Sequence, residues 1–128
     1  MEYYIGKKID IGFAEAVAKV TAGLKTEGFG VISEIDLHDK LKEKLNVDFR
    51  KYKILGACNP IYAYKALHAE DKIGTMLPCN VIIQELAEGK IEVAAVNPMA
   101  SMKAVKNEAL VWIAYEIKEK LTKVVNRL

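Results

Sequence analysis

The chain has little of most residues that carry covalent or metal chemistry. Of 128 residues, two are cysteine, two histidine and three proline. No CxxC redox pair and no zinc framework of paired cysteines occurs. GxSxG, HExxH, P-loop and GxGxxG patterns are equally absent. No apolar run approaches the roughly 20 residues that span a bilayer. Met1 to Lys8 lacks a basic start followed by an apolar core, so no secretory leader is expected. Neither charge sign dominates: 19 basic and 17 acidic residues interleave, for a net charge of +2. That is too mild for an electrostatic footprint on nucleic acid or anionic lipid. The expectation is a cytoplasmic protein with no nucleic-acid and no membrane partner, where a pair of cysteines is thiol rather than structural disulfide.

What is present suits one domain spanning residues 1–128, large enough to bury a substantial core. Hydrophobic residues make up 52% and charged residues 28%, an ordinary globular balance. Alternation predicts a strand over Tyr3 to Ile11. Phe13, Val17, Val20 and Leu24 then recur at helical spacing, with Asp10 as an N-cap and Gly28 as the stop. A second strand is expected over Phe29 to Ile35, and a short helix capped by Asp36 over Leu37 to Leu45. Tyr52 to Ala57 reads as a third strand. Asn59 then takes an N-cap position with Pro60 at the first helical residue, where a missing N–H is harmless. Ile61, Tyr64 and Leu67 or His68 are expected on the buried side of that helix. A strand over Asn80 to Leu86, a turn at Glu88-Gly89 and a strand over Lys90 to Val96 follow.

Asn97-Pro98 repeats the cap-and-proline device. From Met102 to Leu128, apolar residues keep helical spacing, predicting one helix of about 30 residues, on the order of 45 Å. So long a helix outruns a small sheet, which predicts that part of its stripe, including Trp112, Ile113, Ile117, Leu121, Val124 and Leu128, faces a second subunit. The order β-α-β-α-β-α-β-β-α, with its late hairpin, points to an α+β fold: about five mixed or antiparallel strands under helices.

Chemistry concentrates in Gly56-Ala57-Cys58-Asn59-Pro60 and Met76-Leu77-Pro78-Cys79-Asn80. Each cysteine precedes an asparagine and lies near a proline. If the third and fourth strands are antiparallel neighbours, both thiols meet at one edge of the sheet. Cys58, immediately before a helix start, is the better placed to react, because the positive end of the helix dipole favours thiolate. Cys58, Cys79 and His68, with Met76 or Met99 as a fourth, would give soft ligands suited to zinc or copper(I). The plain alternative is that both cysteines are small core hydrophobes. His38, beside Asp39, reads as a surface residue.

These segments, with Gly28-Phe29-Gly30, Leu55-Gly56, Leu77-Pro78 and Val96-Asn97-Pro98, resemble the domain-of-unknown-function family 302 over nearly the whole chain. The resemblance implies a compact α/β domain, topologically similar to a TATA-binding-protein half-domain, and a dimer. It implies no activity and no known cofactor. It carries Cys58, Asn59, Pro60, Pro78, Cys79 and Asn80 over as the site. Three functions then compete: a homodimeric module that binds or senses a small molecule or metal ion at Cys58 and Cys79, a thiol enzyme with Cys58 as nucleophile and Cys79 as resolving thiol, and a structural interaction domain with inert cysteines. In the first, the asparagine amides and free helix N–H groups would hold a small polar or anionic ligand.

Overall fold

Alternating burial along the strands decides the layers. β5 (Ile91–Val96) buries Ile91, Val93 and Ala95 while Glu92, Ala94 and Val96 turn the other way, the period of a sheet with helices on one face only. In a computed structural model of the chain, which describes residues 1–128, β1 (Tyr4–Ile9), β2 (Gly30–Asp36), β3 (Tyr52–Cys58), β4 (Cys79–Glu85) and β5 form one sheet in the order β1-β5-β4-β3-β2. Every pairing is antiparallel. With its helices on the inner face, this is the expected α+β architecture.

Because β1 and β2 are opposite edges, the helix between them must cross the sheet. That helix, α1 (Phe13–Thr26), buries Ala16, Val20 and Leu24, which fall on one stripe. Its cap position is Gly12 rather than Asp10. Its end is a Schellman turn: Phe29 N donates to Leu24 O and Gly28 N to Lys25 O, with Gly28 at φ +87°. The short α2 (Leu37–Leu45) buries nothing and ends on a left-handed Asn46. His38 is not a plain surface residue. Its Nδ1 accepts from Tyr52 N at 2.9 Å, tying α2 to the start of β3.

The helix α3 (Pro60–Ala69) turns a different side inward than the spacing of its large residues predicts. Ala66 is its buried residue, whereas Ile61, Tyr64 and Leu67 are exposed. Small side chains let α3 lie close against its neighbours; Ile61 or Tyr64 on that face would hold it away. A 3₁₀ segment, Asp71–Met76, then leads to the cis Leu77-Pro78 bond and β4.

The single long C-terminal helix is overturned. It is broken into α4 (Pro98–Ser101), a 3₁₀ turn Met102–Ala104, and α5 (Glu108–Asn126), whose 19 residues span about 28 Å. Asn107 causes the break: its Oδ1 accepts from Ala109 N at 3.0 Å while its Nδ2 donates to Ala69 O at 2.8 Å. A continuous helix would forfeit both bonds. The stripe expected to face a partner is covered within the chain, because Ile113, Ile117, Leu121 and Val124 are all buried. Of that stripe, Trp112 stays half exposed and Leu128 is partly buried. Lys7 closes the far end, donating to Leu128 O at 2.7 Å and Asn126 O at 3.2 Å, a cation at a helix C-terminus.

The outer face of the sheet has no such cover. Register partners share a face, so Tyr4, Val96, Ala94, Ile82, Ile54 and Ile35 run across all five strands on the side away from α1 and α5. No helix is long and apolar enough to cross a membrane.

Candidate functional site: a cavity lined by two thiols

The last residues of β3 and the first of β4 are brought together by their pairing. Ala57 lies opposite Cys79, and Gly56 opposite Asn80. Gly56 has no room for a side chain: a Cβ there would meet Ser33 Oγ and come within 2.7 Å of Pro78 Cγ. The glycine therefore lets Pro78 settle over the strand and places Cys79 beneath α3.

Between these strand ends, α3 and α5 lies a cavity of about 300 Å³, with 13 hydrophobic residues among the 16 that line it. Its walls come from several distant parts of the chain: Phe29, Tyr62, Met102, Ile113 and Ile117 beside the cysteine segments. Ile32 and Leu67 line it and are also exposed, which puts them at its opening.

Both thiols face this space, in different settings. Cys58 is half-buried and Cys79 buried, and neither is in a disulfide. Burial pushes the Cys79 thiol up to about 11, and the neighbouring Cys58 adds to that shift through charge repulsion. At neutral pH Cys79 is a neutral thiol in an apolar wall. Asn59 lines the cavity but does not cap α3. Its Nδ2 donates instead to Glu27 O at 3.2 Å, fastening the start of α3 to the end of α1. The other Asn-Pro pair behaves as its sequence predicts: Asn97 Oδ1 accepts from Met99 N at 3.1 Å, and Asn97 Nδ2 donates to Glu2 O.

Of the six residues expected at the site, Cys58, Asn59, Pro78 and Cys79 meet at the cavity. Pro60 is exposed outside it at the first turn of α3. Asn80, one residue past Cys79 on a pleated strand, points to the outer face, where it borders a shallow groove with Ile82 and Gln84. His68 is exposed and meets the Tyr64 ring edge-on at 4.4 Å, so it does not join the thiols. No three His, Cys, Asp or Glu side chains gather where a metal could be held. Met76 is exposed and Met99 lies in a separate hollow beside Pro98 and Leu110, while Met102, not considered as a ligand from the sequence, lines the cavity. The walls from Phe29, Tyr62, Ile113 and Ile117 are also absent from the sequence reading of the site. Only the helical spacing of Ile113 and Ile117 marks them as inward-facing.

The model of the family described as Domain of unknown function DUF302 matches residues 5–128. The chain belongs to the DUF302 family. A crystal structure of an uncharacterized conserved DUF302 protein from Bacillus stearothermophilus superposes with a TM-score of 0.92 at 27% identity, covering 99% of this chain and 98% of that one. No curated protein matches the sequence. The DUF302 fold thus extends over essentially the whole chain.

Proposed function

We propose that this domain is a small-ligand binding or sensing module whose ligand lies in the cavity between the β3–β4 strand ends, α3 and α5. The observation that carries this reading is the cavity itself: about 300 Å³, hydrophobic at 13 of its 16 lining residues, and open past Ile32 and Leu67. A concave, mostly apolar hollow with a few convergent polar groups is the usual form of a small-molecule site. Its character shifts the expected ligand away from the small polar or anionic molecule that the asparagines suggest. Asn59 spends its amide on Glu27 O and Asn80 faces the other side of the sheet. The ligand fits best as an apolar body held by shape, with Cys58 the half-exposed thiol beside it.

The thiol-enzyme reading has less support. A resolving cysteine must ionise to attack, and burial that pushes Cys79 up to about 11 keeps it protonated at neutral pH. For a second copy of the chain, the partner surface we propose is the uncovered outer face of the sheet rather than the C-terminal helix.

Calorimetric titration with a medium-chain alcohol such as decanol tests the binding reading. Wild-type protein should take up one equivalent. Ala63→Phe, which fills the cavity from a half-buried position, should weaken that uptake at least tenfold without lowering the unfolding temperature. Absence of uptake by wild type overturns the reading.

A further inference from the structure

Sulfur collects in the cavity more than apolar walls require. The chain has two cysteines and four methionines, and both cysteines and one methionine, Met102, line this one hollow. Cys58 and Cys79 come from paired strand ends: Ala57 stands opposite Cys79, and Cys58 is the next residue of β3. They are close enough that charge on Cys58 acts on Cys79. Met102 arrives from the C-terminal part of the chain, on the 3₁₀ turn between α4 and α5. That turn is fixed at both ends, by Asn97 accepting from Met99 N and by Asn107 bonded to Ala69 O and Ala109 N. Cys79 and Met102 are each 8% exposed. None of the three sulfurs makes a hydrogen bond.

This donor set separates the metals that the sequence left open. Zinc in a structural site takes four ligands, drawn from Cys, His, Asp and Glu. Only the two thiols are available to it here, since His68 lies exposed outside the cavity and no third such group gathers. Copper(II) prefers nitrogen and oxygen donors, and the one amide side chain in the lining, Asn59, is committed to Glu27 O. Copper(I) is soft and selects thiolate and thioether sulfur. We propose that the cavity holds a copper(I) site, with Cys58 and Cys79 as thiolate ligands and the Met102 thioether as the third. Binding breaks two S–H bonds and forms two Cu–S bonds, and both protons leave to solvent. The thioether donates a lone pair, and no electron changes hands because the copper arrives as Cu(I). One net negative charge results, placed beside solvent through Cys58, which is half-buried. The inference goes beyond the apolar-ligand reading and does not depend on it, since decanol uptake is measured on metal-free protein.

Anaerobic titration of the protein against Cu(I)-bicinchoninate, whose colour fades as copper is withdrawn, tests the site. Wild type should withdraw one equivalent. X-ray absorption at the copper edge should then show three sulfur neighbours and no nitrogen or oxygen. Met102→Leu, which nearly keeps the side-chain volume, should leave two sulfur neighbours and weaken binding about tenfold. Cys58→Ser, at a half-buried position, should leave copper with the chelator, whereas His68→Ala and Met99→Leu should match wild type. Failure of wild type to withdraw Cu(I), or nitrogen and oxygen neighbours in place of sulfur, overturns the inference. So does full affinity in Cys58→Ser, or three sulfur neighbours retained in Met102→Leu. Decanol uptake and Cu(I) withdrawal are separate readouts, so failure of one reading is told apart from failure of the other.

Discussion

Gly28 and Cys79 show how much a single residue can fix when two constraints fall on it. Gly28 ends α1 at φ +87°, and a Cβ there would lie 3.2 Å from Asn59 Nδ2. Gly28→Ala should therefore cost about 1–3 kcal/mol, from the left-handed backbone and from disturbing the amide that fastens α3 beside Cys58. Urea unfolding of the variant measures it, and a loss below about 0.5 kcal/mol would show that the turn relaxes freely. Cys79 makes stability depend on pH. Its thiol is raised from 9.0 to about 11 in the folded chain, so the unfolded chain releases the proton first. The contribution is complete below pH 9 and is lost as pH rises through about 11. Over that window it amounts to about 2–3 kcal/mol. Unfolding of wild type should steepen there, and Cys79→Ala should remove that part of the slope. The same burial predicts one accessible thiol under native conditions: iodoacetamide should modify Cys58 and reach Cys79 only after unfolding. Equal labelling of both would contradict the buried setting.

Elements were legible wherever their signal was local. The Phe13–Thr26 helix, the short helix after Asp36, the Glu88-Gly89 turn and the strands were all placed within about two residues by alternation and by turn chemistry. Two of the failures came where a side chain made a distant bond. Asn107 interrupts a good helical pattern because its amide finds Ala69 O, 38 residues away in sequence. Spacing from Met102 onwards cannot contain that partner. Likewise Asn59 looks like a cap in the sequence and instead serves Glu27 O. The break has a measurable value. Asn107→Ala should destabilise the protein by about 1–3 kcal/mol, through loss of the α5 cap and an unpaired carbonyl at Ala69. Asn107→Asp keeps the acceptor for Ala109 N but not the donor, and should fall between wild type and alanine in thermal unfolding. An aspartate variant as unstable as alanine would locate the effect on the Nδ2 side, where the bond to Ala69 O is lost and the new carboxylate faces Glu70, whose Oε1 lies 3.3 Å from Asn107 Nδ2.

For the molecule as a whole, the sequence brought the two cysteine segments side by side on the condition that the third and fourth strands pair antiparallel, and the register meets that condition across the whole of α3 and the 3₁₀ segment that separate them. It did not contain the cavity, whose walls at Phe29, Tyr62, Met102 and Ile117 meet only after α1, α3 and α5 have packed. Nor did it assign the uncovered surface correctly. Most of the stripe of α5 that spacing offered to a partner is core, with Trp112 half exposed, and the outer face of the sheet is an apolar band that no helix covers: Ile35 and Tyr4 are 41% and 40% exposed, with Ile54, Ile82 and Val96 half-buried between them. An uncovered apolar band of this kind, bordered by Asn80, Gln84 and Glu92, is the form an interaction surface takes, and a second copy presents the same face for an isologous pairing. The expectation that follows is a dimer at tens of micromolar by sedimentation equilibrium. Ile82→Lys, at the centre of the outer face, should shift it to monomer because a buried, unpaired ammonium at a two-fold interface faces its own image. Trp112→Lys on α5 should leave it dimeric. In the monomeric state the fold should persist, since Ile82 makes no part of the inner core, so an unchanged near-ultraviolet dichroism spectrum accompanies the shift. A monomeric wild type, or dissociation caused by Trp112→Lys and not by Ile82→Lys, would move the interface away from the sheet.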